Sequence, residues 1–327
     1  MDRGERGDAA GHYSANGSIH TIPEAVHEQL HPFGDQIIAR EETVMAAYGS
    51  YAVSTYAYSD VPLDEAVRRI AGEGWKAIEI MCEGPHGELL DWSAERLAEL
   101  KRFGTKHGIA WTLHAPITGC NPATRYSEPL RASVELLVRT LRVAEQLDCA
   151  HIVVHPGESD EAESAALDDA ATCYVHAGVD EGAALRVAAF LREVQLAAGE
   201  PDVAIALENV PPYPGLLGAD TAFLGRVLRL ADTSGLGIVF DVGHAHLTGP
   251  GRCAASLRSI LPDIVSIHLS DNGGKHDDHL KLGAGTVPLD ETVGLLKEAG
   301  YAGSWVIEMR QTADVAPSAD WLRRRNV

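Results

Sequence analysis

Residues 204–241 read AIALENVPPYPGLLGADTAFLGRVLRLADTSGLGIVFD, and their pattern decides the fold. Ala204–Glu208 and Gly237–Asp241 are short apolar runs that each end in a carboxylate. Between them, Thr221–Ala231 repeats its apolar residues at helical spacing. Two strands joined through a helix pair in parallel, because a crossover is needed to bring the chain back to the starting edge.

The same unit recurs in both directions. Strands are expected at Ser50–Tyr56, Ala77–Met81, Ala110–His114 and His151–His155 on the N-terminal side, and at Val265–Leu269 and Trp305–Glu308 on the C-terminal side. Amphipathic stretches at Leu63–Gly72, Ser93–His107, Arg125–Leu147, Ala183–Ala198 and Leu289–Ala299 lie between them, with Gly72, Gly108 and Gly300 as stop signals. Eight strands alternating with helices predict an α/β protein, a closed (β/α)8 TIM barrel. A doubly wound dinucleotide fold loses its main support, since no G-x-G-x-x-G follows the first strand. No linker divides residues 46–327. Residues 1–45 are polar and weakly periodic, and read as an N-terminal extension with one short helix near Ile22–Leu30.

Composition bounds the function. The 327 residues hold 27 Lys and Arg against 47 Asp and Glu, a formal charge of −20, with 45% hydrophobic residues. Such a chain buries a core and is neither disordered nor membrane-embedded. No apolar run approaches a membrane span, and the N-terminus has no signal-peptide core. Five cysteines without a C-x-x-C pair fit a reducing compartment, so a cytoplasmic enzyme is expected. The acidic balance argues against nucleic acid as a partner. A small-molecule substrate is expected as the partner, and the composition allows a homo-oligomer.

In such a barrel, residues ending the strands converge on one mouth. Here those residues are His114, His155, Glu208, Asp241, His244, His268 and Glu308, with Asp277 and His279 just after the seventh strand. Imidazoles and carboxylates together suit zinc, manganese or iron, and carboxylates can bridge two ions. A lone strand-end histidine is more often structural than a ligand. An unpaired strand-end glutamate is costly to bury, so Glu208 and Glu308 favour the metal reading. Asp277 and His279 sit in a polar loop that solvent alone could satisfy. His12, His20, His27, His31, His86, His107 and His176 read as surface residues. His151, His246 and His276 have a minority claim to coordination. Asp271 and Asn272 can cap a turn as readily as touch substrate. Asn209 and Lys281 are candidate polar contacts.

The motifs HAP at 114–116, VHPG at 154–157, LEN at 207–209, FDVGH at 240–244, HLSD at 268–271, DDHLKLGAG at 277–285 and the final Ile307–Glu308 resemble the xylose-isomerase-like TIM barrels. The resemblance covers roughly Tyr48 to Gln311. That superfamily includes sugar phosphate isomerases and epimerases as well as endonuclease IV-type AP endonucleases. The endonuclease branch implies all nine residues as ligands to three zinc ions. The epimerase branch implies one divalent ion on Glu208, Asp241, His268 and Glu308, with Glu208 and Glu308 as the catalytic acid and base.

Charge separates the branches to a degree. Four carboxylates with three divalent ions leave about +2, which favours a phosphate; one ion leaves about −2, which suits a neutral sugar. The loop Cys82–Asp91 carries no Lys or Arg, and Glu158–Glu181 holds eight Asp and Glu, also with no Lys or Arg, both poor surfaces for a duplex. The expectation is a divalent-metal-dependent isomerase or epimerase acting on a small sugar, sugar phosphate or polyol-like metabolite. The alternative is a multinuclear zinc phosphoester hydrolase, and a non-catalytic metal-stabilised binding protein ranks third. At least two ions are expected, with His114 and His155 among their ligands.

Overall fold

The computed structural model describes residues 51–160 and 181–327. Within them, eight parallel strands close into a barrel in sequence order: β1 Tyr51–Ser54, β2 Ala77–Met81, β3 Ala110–His114, β4 His151–Val154, β5 Ala204–Glu208, β6 Leu236–Asp241, β7 Ile264–Leu269 and β8 Ser304–Ile307. β1 pairs with both β2 and β8, so the sheet has no free edge. The connecting helices are α1 Leu63–Gly72, α2 Ala94–His107, α3 Ser127–Gln146, α4 Glu181–Ala198, α5 Thr221–Ala231, α6 Val242–Leu247, α7 Arg252–Ile260 and α8 Leu289–Glu298, and α9 Thr312–Arg323 follows β8. The predicted extension over residues 1–45, its short helix, Ser50 and most of the acidic stretch 158–181 lie outside the described residues.

Local chemistry sets the boundaries. β1 stops at Ser54 rather than Tyr56, because the Ser54 hydroxyl accepts from the Tyr56 amide and a 3-10 turn, Thr55–Tyr58, begins there. Ser93 caps α2 through the Arg96 amide, and Gly108 ends that helix at φ 63°. Gly72 is the last helical residue of α1, and the left-handed turn falls on Gly74. β4 and β8 end one residue early, so His155 and Glu308 stand on the first residue past their strands.

The core lies in two shells. Outside the barrel, Leu141, Phe190, Leu191, Leu224, Leu257 and their neighbours pack the helices onto the outward faces of the strands. Inside, strand alternation carries the inward face down from the strand-end polar residues to smaller ones. Below Glu208 come Ala206 and Ala204, which cluster with Val153, Val239 and Val265; below Glu308 comes Val306, packed with Ala52 and Ala77. At the N-terminal end of the strands a cavity of about 180 Å³ remains, lined by Ala52, Ala77, Ala110, Ala150, Ser304 and Trp111 among others.

His86, read from sequence as a surface residue, is fully buried. Its ring nitrogens meet the Thr55 hydroxyl and the Val61 carbonyl, each at 3.0 Å, tying the loop after β2 to the chain after β1. No helix among the described residues is long and apolar enough to cross a membrane. Among the described residues, Cys82, Cys120, Cys149 and Cys253 form no disulfide.

Candidate metal centre

The nine residues selected from sequence meet at the C-terminal mouth of the barrel in three groups, each with donor atoms within 4.8 Å of one another. The first is His114, His155 and Glu208; the second is Glu208, Asp241, His268 and Glu308; the third is His244, Asp277 and His279. Glu208 joins two groups by dividing its oxygens. Its Oε2 lies 3.0 Å from His114 Nε2 and 3.1 Å from His155 Nε2, while its Oε1 lies 2.9 Å from His268 Nδ1. In the third group, Asp277 Oδ2 is 3.2 Å from His244 Nε2 and 3.1 Å from His279 Nε2.

The backbone around each side chain explains its placement. Asp241 ends β6 and caps α6, accepting from the His244 amide at 2.6 Å, so the i and i+3 spacing fixes both residues on one turn. The Asn209 side chain donates to the Asp241 carbonyl and accepts from its amide, each at 2.9 Å, which locks that corner. Asn209 is therefore a fixture of the corner. His279 takes φ 47°, a left-handed turn rather than the extended loop its i+2 spacing from Asp277 suggests. Asp271 accepts from the amides of Asn272, Gly283, Gly285 and Val287 at 2.9–3.0 Å, folding the loop after β7 under the third group. A Cβ on Gly285 would stand 2.2 Å from the Asn272 carbonyl, and one on Gly243 would stand 2.5 Å from the Ser270 hydroxyl; both positions need glycine.

Electrostatics bind the cluster together. Burial alone would raise the Glu208 pKa, but the positive His268 and hydrogen bonds from His114, His155 and His268 hold it well below the usual carboxylate range. Glu308 is also lowered, burial again being outweighed by His268 and His279. Burial, with the charges of Glu208, Glu308 and Asp277, pushes Asp241 up to about 6 against the opposing pull of His244. His279 rises to about 9 although burial opposes it, through its bond to Asp277 and the charge of Glu308. His155 falls, because burial outweighs its bond to Glu208.

The donor set fits a divalent metal on two counts. Oxygen and imidazole nitrogen donors of mixed hardness share each of two groups around a common carboxylate. Among the described residues, Asp241 Oδ2 and Asp277 Oδ1 are also buried with no hydrogen-bond partner, a cost that a bound cation would relieve.

The remaining sequence candidates fall outside these groups. His246 bonds the Thr286 hydroxyl at 3.0 Å, His276 and Lys281 are exposed, and His151 begins β4 at the far end of the barrel. Asp271 and Asn272 organise the loop. One residue was missed: Glu79 in the middle of β2, fully buried, with Oε2 3.3 Å from His268 Nε2. Its signal was an acid flanked by Ile78 and Ile80 in an apolar strand, visible only if strand interiors are read as closely as strand ends.

A family profile described as xylose isomerase-like TIM barrel matches residues 67–325. The chain belongs to that family. Among its relatives, the uncharacterized protein MJ1311 of Methanocaldococcus jannaschii is 30% identical over 84% of this chain and 88% of its own length. The probable endonuclease 4 of Methanoculleus marisnigri is 26% identical over 70% and 81%. A D-tagatose 3-epimerase-like protein superposes with TM-score 0.70 at 28% identity, covering 84% of this chain and 96% of its own. The IolI protein, solved with a bound zinc atom, shares the fold at TM-score 0.66 and 18% identity, over 84% and 94%. Epimerases and an AP endonuclease both stand among the family member's structural neighbours.

Proposed function

We propose that this xylose isomerase-like barrel is a divalent-metal-dependent isomerase or epimerase acting on a small sugar, sugar phosphate or polyol-like metabolite. The observation that carries the reading is the pairing of Glu208 and Glu308 across one imidazole. His268 Nδ1 lies 2.9 Å from Glu208 Oε1 and 3.4 Å from Glu308 Oε2, and all three residues are buried. Glu208, Asp241, His268 and Glu308 would hold the ion. When bound, it would polarise carbonyl and hydroxyl oxygens of the substrate, which acidifies the adjacent C–H.

The two glutamates do the proton work. Their lowered pKa values keep both ionised near neutrality, so each is ready to accept a proton. Glu208 already meets four imidazoles through its two oxygens, those of His114, His155 and His268 and, at 3.7 Å, His244, whereas Glu308 meets His268 and, at 3.9 Å, His279. Glu308 is therefore the less committed carboxylate and the better base, keeping the proton it removes; delivery of a proton to the other face by Glu208 would require Glu208 first to take one up from solvent. The epimerase-like neighbour at 28% identity supports this reading. The test is solvent-deuterium incorporation by metal-loaded protein across a panel of sugars and keto-polyols. Exchange next to the carbonyl is expected, and its absence from every compound would end the proposal.

A second reading has its own observation. The divided oxygens of Glu208 and the separate His244–Asp277–His279 group offer room for more than one ion, as a phosphoester hydrolase of the endonuclease IV type would use. Two of the acids on the loop after β2 are partly neutralised, Glu88 by Arg96 at 3.7 Å and Asp91 by Arg139 at 3.0 Å, which softens the charge argument against a polyanion. Elemental analysis separates the readings: about three equivalents of zinc favour hydrolysis, and one equivalent favours the isomerase.

A further inference from the structure

Four of the five histidines of the site, His114, His244, His268 and His279, hold their rings in two different ways. His114 Nδ1 faces the Ala115 carbonyl at 2.8 Å, His244 Nδ1 the Asn209 carbonyl at 2.8 Å, and His279 Nδ1 the Glu308 carbonyl at 3.0 Å. A carbonyl only accepts, so in these three rings Nδ1 carries the hydrogen and Nε2 is turned toward Glu208 or Asp277. His268 is reversed. Its Nδ1 faces Glu208 and Glu308, and its outer nitrogen, Nε2, meets the carboxylate of Glu79.

We infer that Glu79 is a positioning residue: it accepts the Nε2–H of His268 and commits that ring to bind a metal ion through Nδ1. The inference rests on the metal-dependent reading above. Glu79 lies in the interior of β2 between Ile78 and Ile80, at 0% exposure, where an acid without a purpose would be costly. Its Oε2 also lies 3.5 Å from the Thr112 hydroxyl on β3, which aims that oxygen at the His268 ring, and its Oε1 meets no polar partner among the described residues. A carboxylate behind the ring makes Nδ1 a stronger donor than a neutral carbonyl does, and it fixes ring orientation before the ion arrives. His268 is thus the one histidine of the four whose outer contact is a replaceable side chain.

The test uses apo protein titrated with zinc, and protein loaded with cadmium-113 and labelled with nitrogen-15 at histidine. In wild type, cadmium coupling is expected at His268 Nδ1, with a hydrogen on Nε2; the resonance lost in His268→Gln identifies the ring. Glu79→Ala should weaken zinc binding about 10- to 100-fold at the site containing His268. Glu79→Gln keeps an acceptor oxygen and should recover part of that loss. Cadmium coupled to Nε2 of His268, or zinc affinity unchanged in both variants, overturns the inference. The wild-type spectrum decides the matter even if a variant does not fold. Failure of wild type to bind any divalent ion would instead sink the metal reading on which the inference stands.

Discussion

His114 and His155 are where the two catalytic readings part. Both meet the same oxygen of Glu208, and their rings stand 5.1 Å apart in a T-shaped contact. A one-ion isomerase centred on Glu208, Asp241, His268 and Glu308 leaves them as substrate contacts or supports. A multinuclear centre makes them ligands. The double variant His114→Ala/His155→Ala is expected to lose at least one equivalent of metal while keeping its far-ultraviolet circular dichroism. Unchanged metal content in that variant would leave the one-ion isomerase as the better account. Strand-end residues of this kind are legible in sequence, because a polar group at the end of an apolar strand has few structural excuses. Glu79 and His86 were harder: one lies inside a strand, and the other is buried by a loop that folds back on β1, a contact that no local pattern announces.

Two connecting elements carry the site. The loop after β7 hangs on Asp271, whose carboxylate accepts from four backbone amides. Asp271→Ala strands those donors in a part-buried turn, and charged hydrogen bonds of this type contribute about 1.5–3 kcal/mol each in isolation but add poorly. A loss of roughly 3 kcal/mol in urea unfolding is expected, along with weaker metal binding at the His244–Asp277–His279 group. A loss under about 0.5 kcal/mol would mean that the loop is held elsewhere. The loop after β2 hangs on His86. Burial lowers its pKa against the opposing Val61 carbonyl, Glu88 and Asp60. The folded state therefore resists protonating it, and its contribution is complete above the ordinary histidine value of about 6.5 and shrinks as pH falls through that value. The melting-temperature gap between wild type and His86→Gln is expected to be widest above pH 7 and to narrow toward pH 5. Because the site histidines titrate in both proteins, their effect cancels in the difference; a gap that stays constant would refute this role.

At the scale of the whole molecule, the alternation of strand and helix patterns was enough to read a closed barrel, since eight parallel strands with covering helices have few other arrangements. Strand ends shifted by a residue or two, because caps such as Ser54 and the register between neighbours set them, and register is a non-local property. The helices α7 and α9 were not among the predicted segments, whereas the i and i+3 spacing of Asp241 and His244 on a strand-to-helix turn agrees with α6, which is only six residues long and begins within the FDVGH motif. If the carboxylates and imidazoles at the mouth hold metal as proposed, metal binding is coupled to global stability. At free metal about a hundred times its dissociation constant, the linkage amounts to about 2.7 kcal/mol. Removing metal with a chelator should then lower the melting temperature on the order of 5 °C, read by calorimetry, and full restoration by zinc is expected. No shift on chelation would mean that the mouth is satisfied by its own hydrogen bonds.

The small side chains at the opposite end of the barrel have a practical bearing on how the protein can be changed. The cavity lined in part by Ala52, Ala77, Ala110, Ala150 and Ser304 sits at the N-terminal ends of the strands, while the candidate ligand groups sit at their C-terminal ends. In most enzymes, thermal robustness and turnover compete for the same residues. Here the pocket, which opens to solvent beside the exposed Lys101–Asp148 pair, and the proposed metal centre occupy opposite poles of a closed barrel, so a larger aliphatic residue in place of a buried alanine such as Ala52 or Ala77 is expected to act on packing without passing strain to the mouth. That separation lets packing at one pole be changed independently of the loops at the other.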